Sequence, residues 1–465
     1  MRMNPKVVAS AGFQAALALL GVLVIIAFVV VSMLSRQTDI QVYRMGGSAI
    51  RHGGDLYSAV DPKSDLLFTY TPFAAVLFVP VSILPWRLSQ GSWTVLVAVA
   101  LYLFCAVSCS AVRGSAVRGS AVRGSAVRGS ANSGRLVAYG SIAGAALLLE
   151  PIRRNFELGQ INIVLALLIA VDLFGRRARL PRGVLIGVAA GVKLTPLIFL
   201  PYLLVTRRWR SAGWAAVAFL GTIAAGFAVS FRSSSIYWGS TVLDVDHVGG
   251  VPFVGNQSLL GLLSRLMSGA DRARPLYLPL AGAVMLIGLV VCGLLHHGGR
   301  RLLADLTCAL TGLLVSPISW SHHWVWLVPV LLYLGCHPDR PAWGRCGAIV
   351  GGALFTLAPI WWVPSTGDVE FTHHGWQLVA GNCYVGAGLL LFTLLAIHAL
   401  VLAVRMPAVG GVRAPVDSDS GYLDVGVGAA MAPVVAHAGG PVAGRAVASV
   451  VGPAALPRMP DGAAP

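Results

Sequence analysis

The chain has 465 residues, 56% of them apolar and only 11% charged, with a formal net charge of +16. Soluble domains average about 25% charged residues, so this composition excludes a water-soluble globular protein and describes an integral membrane protein. The basic excess is arginine, since Lys6, Lys63 and Lys193 are the only lysines. Those arginines sit in short loops between apolar runs, as cytoplasmic loops of membrane proteins do, which argues for membrane lipids and against nucleic acid as the partner.

The run over 11–34 is too long for a signal-peptide core and lacks a small-residue cleavage site, so it reads as a retained first helix. Runs of this length predict an all-α, polytopic protein, because a helix needs about 20 residues to span and a barrel would show alternating strands. The stretch 38–72 follows, dense in polar groups: Asp39, Tyr43, Arg44, Arg51, His52, Asp55, Tyr57 and Tyr70. A carboxylate there is either surface chemistry or the base of a site at the membrane boundary. Next come apolar runs at 68–85 and 92–108, the first with three prolines, so that it either crosses or dips in and returns.

An internal repeat then recurs, Ser-Ala-Val-Arg-Gly from Ser110 to Gly129. Its period of five is far below that of structural repeats, and its Gly/Ser content predicts a flexible cytoplasmic loop over 110–134. Nine further apolar runs follow up to 404. Arginine clusters at 176–179, 207–210 and 300–301 mark cytoplasmic loops. The run 183–205 is expected to be a broken pair turning at Lys193–Pro196. About 12 spanning helices keep both termini inside, with a membrane domain over 1–404 and a Gly/Ala/Pro-rich disordered cytoplasmic tail over 405–465.

Threading outward from the arginine clusters gathers the remaining polar motifs on the opposite face. They are Glu150–Asn155, Gly159–Asn162, Gly191–Pro196, Asp244–His247, Gly255–Ser258 and Ser316–Trp326. Ionisable groups at membrane depth are costly and mark functional sites. Lys193 either snorkels to the interface or holds a phosphate as a point charge. Arg153 and Arg154 are either loop charges or forked phosphate donors. His322 and His323, among tryptophans, are either belt residues or contacts to a sugar or phosphate, and two histidines without a third ligand make a weak metal site. Asp244-Val245-Asp246 looks like an acidic metal motif but is short enough to arise by chance, so a loop or acceptor role is read. The seven cysteines show no metal or disulfide spacing.

Taken in order, Asp39–Tyr43, Phe68–Pro72, Leu149–Arg153, Gly159–Asn162, Ala190–Pro196, Asn256–Ser258 and Ser316–Trp326 resemble one family. It is the polyprenol-phosphate-mannose-dependent α-(1→2)-mannosyltransferases of the actinobacterial envelope, membrane glycosyltransferases of the GT-C class. The likeness covers about residues 11–404, and the His-His-Trp block is its most specific part. The repeat, Thr71 in place of a frequent proline, and the tail depart from the pattern. The resemblance implies a polyprenyl-phosphate-mannose donor and a mannosylated phosphatidylinositol acceptor. It implies neither a nucleotide site nor a cofactor, and it places the active site on the extracytoplasmic face of the plasma membrane. It casts Asp39 as the single base of an inverting transfer. Lys193, Arg153, His322, His323, Gln160 and Asn162 are then expected at the donor phosphate and sugar, and Tyr43, Tyr70, Asn256, Gln257 and Trp324 at the acceptor. Two alternatives stand beside it, α-1,2 branching of lipomannan or lipoarabinomannan, and a polyprenyl-lipid flippase. The flippase should show paired repeats in its halves, which this sequence lacks.

Overall fold

The computed structural model describes residues 19, 21, 23–61, 64–119, 131–175, 180–244, 247, 249–365 and 369–405. The tail beyond 405, repeat residues 120–130 and the arginine cluster at 176–179 lie outside the described residues. Among the described residues every regular element is helical, and extended backbone pairs only at two isolated bridges, Val60 with Leu67 and Asn256 with Trp320.

Helix α1 (Leu23–Leu34) bends by 63° into α2 (Thr38–His52). The bend is fixed by Gln37, held left-handed at φ 43° with its amide donating to the Thr94 hydroxyl (3.0 Å) and the Phe156 carbonyl (3.2 Å). Three prolines then divide 68–85 into the six-residue α3 (Pro72–Leu77) and the five-residue α4 (Val79–Ile83). At 1.5 Å per residue neither approaches the roughly 30 Å of a bilayer core. Helix α2 lies directly on them: a methyl on Gly47 would sit 2.5 Å from the Phe78 carbonyl.

Helix α5 (Trp86–Gly119) runs for 34 residues, through the first two repeat units. The expected loop over 110–134 is therefore too wide at its start. Ala, Val and Arg hold a helix adequately, and Ser115 ties that end down by a hydrogen bond of 3.0 Å to His337. The chain resumes as α6 (Ala131–Ala146), α7 (Glu150–Leu158) and α8 (Asn162–Phe174). As expected, 183–205 is broken: α9 (Val184–Val192) stops at Lys193, a 3-10 turn covers Thr195–Ile198, and α10 (Phe199–Val205) follows.

The rest comprises α11 (Trp209–Val229), α12 (Phe231–Gly239), α13 (Leu259–Leu266), α14 (Ala270–His297), α15 (Arg301–Val315), α16 (Leu327–Cys336), α17 (Gly344–Leu357), α18 (Trp376–Gly381) and α19 (Cys383–Arg405). Among the described residues five helices are long and apolar enough to cross a membrane, namely α5, α11, α14, α17 with its trailing turn, and α19; the bent α1–α2 pair makes a sixth. Among the described residues the expected 12 crossings are not met by span-length helices, because some apolar runs are short, as in the 13-residue α8, and others are cut into pieces, as at 68–85 and 183–205.

Where helices pack, small residues let the backbones meet, as they do in membranes. On α9 and its N-cap, a methyl on Gly183, Gly187 or Gly191 would fall within 1.9–2.3 Å of Ser211, Ala215 or Thr222 of α11. Buried carboxylates also serve structure here. Asp172 of α8 accepts from the Gly183 and Ile186 amides (2.8 and 3.0 Å), satisfying N–H groups that the first turn of α9 leaves open. Asp305 of α15 accepts from the Tyr202 hydroxyl at 2.6 Å.

Candidate active site

Four chain breaks and one extended segment meet around a cavity of about 930 Å³. The α1–α2 break supplies Asp39, the segment before α3 supplies Tyr70, and the α7–α8 turn supplies Gln160. The α9–α10 break supplies Lys193, and a 3-10 turn over Ser321–Trp326 supplies His322 and His323. The α7–α8 turn needs its glycine: Gly159 is left-handed at φ 73°, and a methyl there would meet Ile40 at 2.4 Å.

Lys193 is the hub. Its Nζ donates to Asn162 Oδ1 at 3.0 Å and to His323 Nε2 at 2.9 Å, and it lies 5.5 Å from the Tyr70 ring centre. Because that Nε2 accepts, the His323 proton is assigned to Nδ1. Asn162 is in turn fixed by donating to Asn155 Oδ1 (3.2 Å) and Gln160 Oε1 (3.3 Å). Asn155 donates to the His322 carbonyl at 2.8 Å, which ties α7 to the histidine turn. Gln160 Oε1 also accepts from Tyr70 (3.1 Å) and Tyr43 (3.3 Å).

Asp39 sits half-buried in the first turn of α2, facing the cavity rather than bulk water. Desolvation raises its pKa to about 6, opposed by the Lys193 charge, a hydrogen bond with Gln160, and Arg154. Desolvation likewise lowers Lys193 to about 8, with Asp39 pulling the other way. Asp39 follows the bend after α1 and Lys193 follows the end of α9, so both lie at breaks in the helices. Burial and the Lys193 charge keep both imidazoles well below their usual pKa, hence neutral. Asp39, Lys193 and the two neutral imidazoles are a set suited to taking a proton on one side and receiving an anion on the other; Asp65, Asp244, Arg154 and His247 also line the cavity. Among the described residues no three His, Cys, Asp or Glu side chains gather as a metal-ligand set.

Several expected site residues are placed elsewhere. Asn256 is fully buried, its amide donating to the Val251 and Pro317 carbonyls and its oxygen accepting from the Ser319 amide. Gln257 is equally enclosed, bridging the Val254 and Gly381 carbonyls and the Tyr384 and Val385 amides. Every polar atom of this pair is engaged by backbone, so neither is left to bind an acceptor. Trp324 packs against Phe355 and Tyr384, away from the cavity, whose aromatic wall is Trp320 and Trp361. Arg153 pairs with Glu157 at 3.3 Å outside the cavity lining; Arg154 lines it, its guanidinium 5.2 Å from the Trp361 ring centre. Tyr43 is buried beneath Tyr70, stacked on Phe78 at 4.2 Å. Asn162 supports Lys193 from behind. Of the short acidic motif, Asp244 lines the cavity and Asp246 lies outside the described residues.

Two supports escaped the sequence reading. Glu150 is buried and accepts from Ser321 (2.8 Å), Trp361 (2.8 Å) and Tyr384 (3.2 Å), clamping α7, the histidine turn and α19 together. Arg265 of α13, 3% exposed, donates to the carbonyls of Pro252, Phe253 and Asn256 and to Asn382. It folds the 250–256 loop over the cavity. The Glu-Pro start of α7 was visible; only packing shows what the carboxylate accepts.

Residues 68–317 match the family described as Glycosyltransferase family 87. The chain is 35% identical over 365 residues to the polyprenol-phosphate-mannose-dependent alpha-(1-2)-phosphatidylinositol mannoside mannosyltransferase of Mycolicibacterium smegmatis, covering 75% of this chain and 80% of that protein. It is 32% identical to the Mycobacterium tuberculosis protein of the same name, covering 79% and 86%. A third relative, the phosphatidylinositol pentamannoside mannosyltransferase of Mycobacterium tuberculosis, is 34% identical, covering 76% and 79%. No solved structure matches the chain.

Proposed function

Because this chain belongs to glycosyltransferase family 87, we propose that it transfers mannose from polyprenyl-phosphate-mannose to a mannosylated phosphatidylinositol, forming an α-1,2 linkage with inversion. One observation supports this above all: Asp39 and Lys193 face the same cavity, each within the other's field. The acceptor hydroxyl attacks the anomeric carbon as its proton passes to the Asp39 carboxylate. The bond from that carbon to the phosphate oxygen breaks, and its electron pair leaves with the polyprenyl phosphate. Lys193, backed by Asn162 and His323, stabilises that anion, and His322 offers a further ring nitrogen. Attack opposite the departing phosphate turns a β-linked donor into an α-linked product with one base and no covalent intermediate.

Beyond Lys193 the cavity wall turns apolar, through Leu197, Ile198, Pro201, Met285 and Gly312. In this reading the polyprenyl chain lies there, and Trp320 and Trp361 face the sugars. The cavity opens on the extracytoplasmic side of the plasma membrane. In support, Ser316 at one end of α15 lines it, whereas Arg300 and Arg301 begin that helix some 22 Å away, and arginine favours the cytoplasmic side. The shorter apolar helices then pair across their breaks into further crossings, giving about 12 in a GT-C arrangement.

The test is transfer from radiolabelled mannosyl phospho-polyprenol to phosphatidylinositol mannosides in membranes carrying the protein. Labelled glycolipid with a new α-1,2 mannose is expected; movement of intact donor lipid without transfer would overturn the reading.

A further inference from the structure

A second cavity, of about 480 Å³, lies at the α1–α2 break, and nothing above uses it. Thr38 lines it and the active-site cavity alike, so the two share a wall one residue from Asp39. Its lining includes Arg36 and Arg87 and no carboxylate. The Arg87 guanidinium is steadied over the break by the Met33 carbonyl at 3.4 Å. Helix α5 begins here at Trp86, and the first-turn N–H groups of a helix favour an anion.

Two glutamines complete the lining. Gln41 and Gln90 donate through Nε2 to the Arg36 and Ser35 carbonyls (2.8 and 3.3 Å). Their Oε1 atoms are buried with no partner, although Gln90 is only 1% exposed. A buried amide oxygen left unpaired is costly, and both belong to residues that line the cavity alongside the two arginines. Arginines with a helix N-terminus suit a phosphodiester; unpaired amide oxygens suit hydroxyl donors. Leu34, 80% exposed, lines the cavity at the end of the apolar outer face of α1, where Ile26 and Val30 are also exposed.

We propose that this cavity binds the phosphate-and-polyol headgroup of the acceptor lipid, an inositol phosphodiester, with its acyl chains lying along α1. The sugar beyond the inositol then passes over Thr38 to Asp39, while the donor approaches from the Lys193 side. This rests on the function proposed above and adds where the acceptor is held.

The test compares two acceptors, a phosphatidylinositol mannoside and a phosphate-free alkyl oligomannoside with the same terminal sugars. In R36A/R87A the KM for the glycolipid should rise tenfold or more, as expected for lost charge-assisted hydrogen bonds, with the neutral acceptor transferred as before. R36K/R87K should recover part of the loss. Glycerophosphoinositol should compete with the glycolipid in the wild type and not in R36A/R87A, and phosphatidylglycerol at equal concentration should not compete. An unchanged glycolipid KM, an equal loss with both acceptors, or equal competition by phosphatidylglycerol each overturns the site while leaving the transferase reading intact. A wild-type protein that mannosylates neither acceptor overturns both.

Discussion

Replacing Asp39 by Asn keeps the shape of the side chain and a group able to meet Gln160, and removes the proton acceptor. With a pKa of about 6, the carboxylate is roughly 90% ionised at pH 7, so the wild type works near full strength there. Losing a positioned base costs about 10²–10⁴ in rate, equivalent to about 2.7–5.4 kcal/mol of barrier. Folding should move the other way. A pKa raised from 3.8 to about 6 means that the ionised form opposes folding by at most about 3 kcal/mol. Partial exposure of the side chain screens this to about 1–2 kcal/mol. For a carboxylate with a raised folded-state pKa, that penalty is absent below pH 4 and fully present above pH 6. D39N should therefore unfold at an equal or higher temperature than the wild type at pH 7.5 and at the same temperature at pH 4. Transfer from radiolabelled donor, read beside thermal unfolding in detergent, separates the two effects. More than a tenth of wild-type transfer would refute Asp39 as the base, and a lowered unfolding temperature would refute the burial penalty on its charge.

Other variants probe the surrounding parts. The wild-type kcat/KM should fall below about pH 6 as Asp39 gains its proton and above about pH 8 as Lys193 loses its own; as the two groups are coupled, the limbs belong to the pair. K193M should lose about 10²-fold or more in transfer and its alkaline limb, since a preorganised charge is removed. E150Q turns an acceptor into a donor facing the Ser321, Trp361 or Tyr384 donors, and should cost about 1–3 kcal/mol in unfolding. Gly312 lines the apolar wall, and a methyl there would already touch Ile198 at 3.0 Å. G312L should therefore raise the KM for long-chain donors more than for short-chain ones, and an equal effect on both would place the polyprenyl chain elsewhere.

The sequence showed the chemistry-bearing residues more clearly than their assignments. Gln160, Lys193, His322 and His323 were each read as polar residues interrupting apolar sequence, while the resemblance singled out Asp39 within its polar stretch; they share one cavity because the interruptions are also where helices break. Asn256, Gln257 and Trp324, expected at the acceptor from the resemblance, do not line that cavity. An amide in an irregular segment is as well suited to satisfying loop backbone as to binding a sugar, and residue type does not tell the two apart. Arg153 and Arg154 are neighbours, and only the helical phase of α7 directs the second into the cavity. Glu150 and Arg265 were unreadable as clamps because each joins segments more than 100 residues apart. The number of crossings was less legible: hydropathy finds apolar runs, and whether a proline breaks one, as in 68–85, or is absorbed, as in α14, depends on packing.

The three glycines along the seam between α9 and α11 bear on how substrates come and go. Gly183 and Gly187 bring main chain against main chain and Gly191 takes the Thr222 side chain, so sliding is blocked and the flank carrying Lys193 is a stiff wall of the cavity. The opposite wall carries side chains that reach into the cavity, Met285 of α14 and Phe253 of the segment over 249–256, and these set the room for one greasy molecule and a lengthened one. Turnover can then be tuned on that side by trimming or enlarging aromatic rings, while the ammonium stays in place.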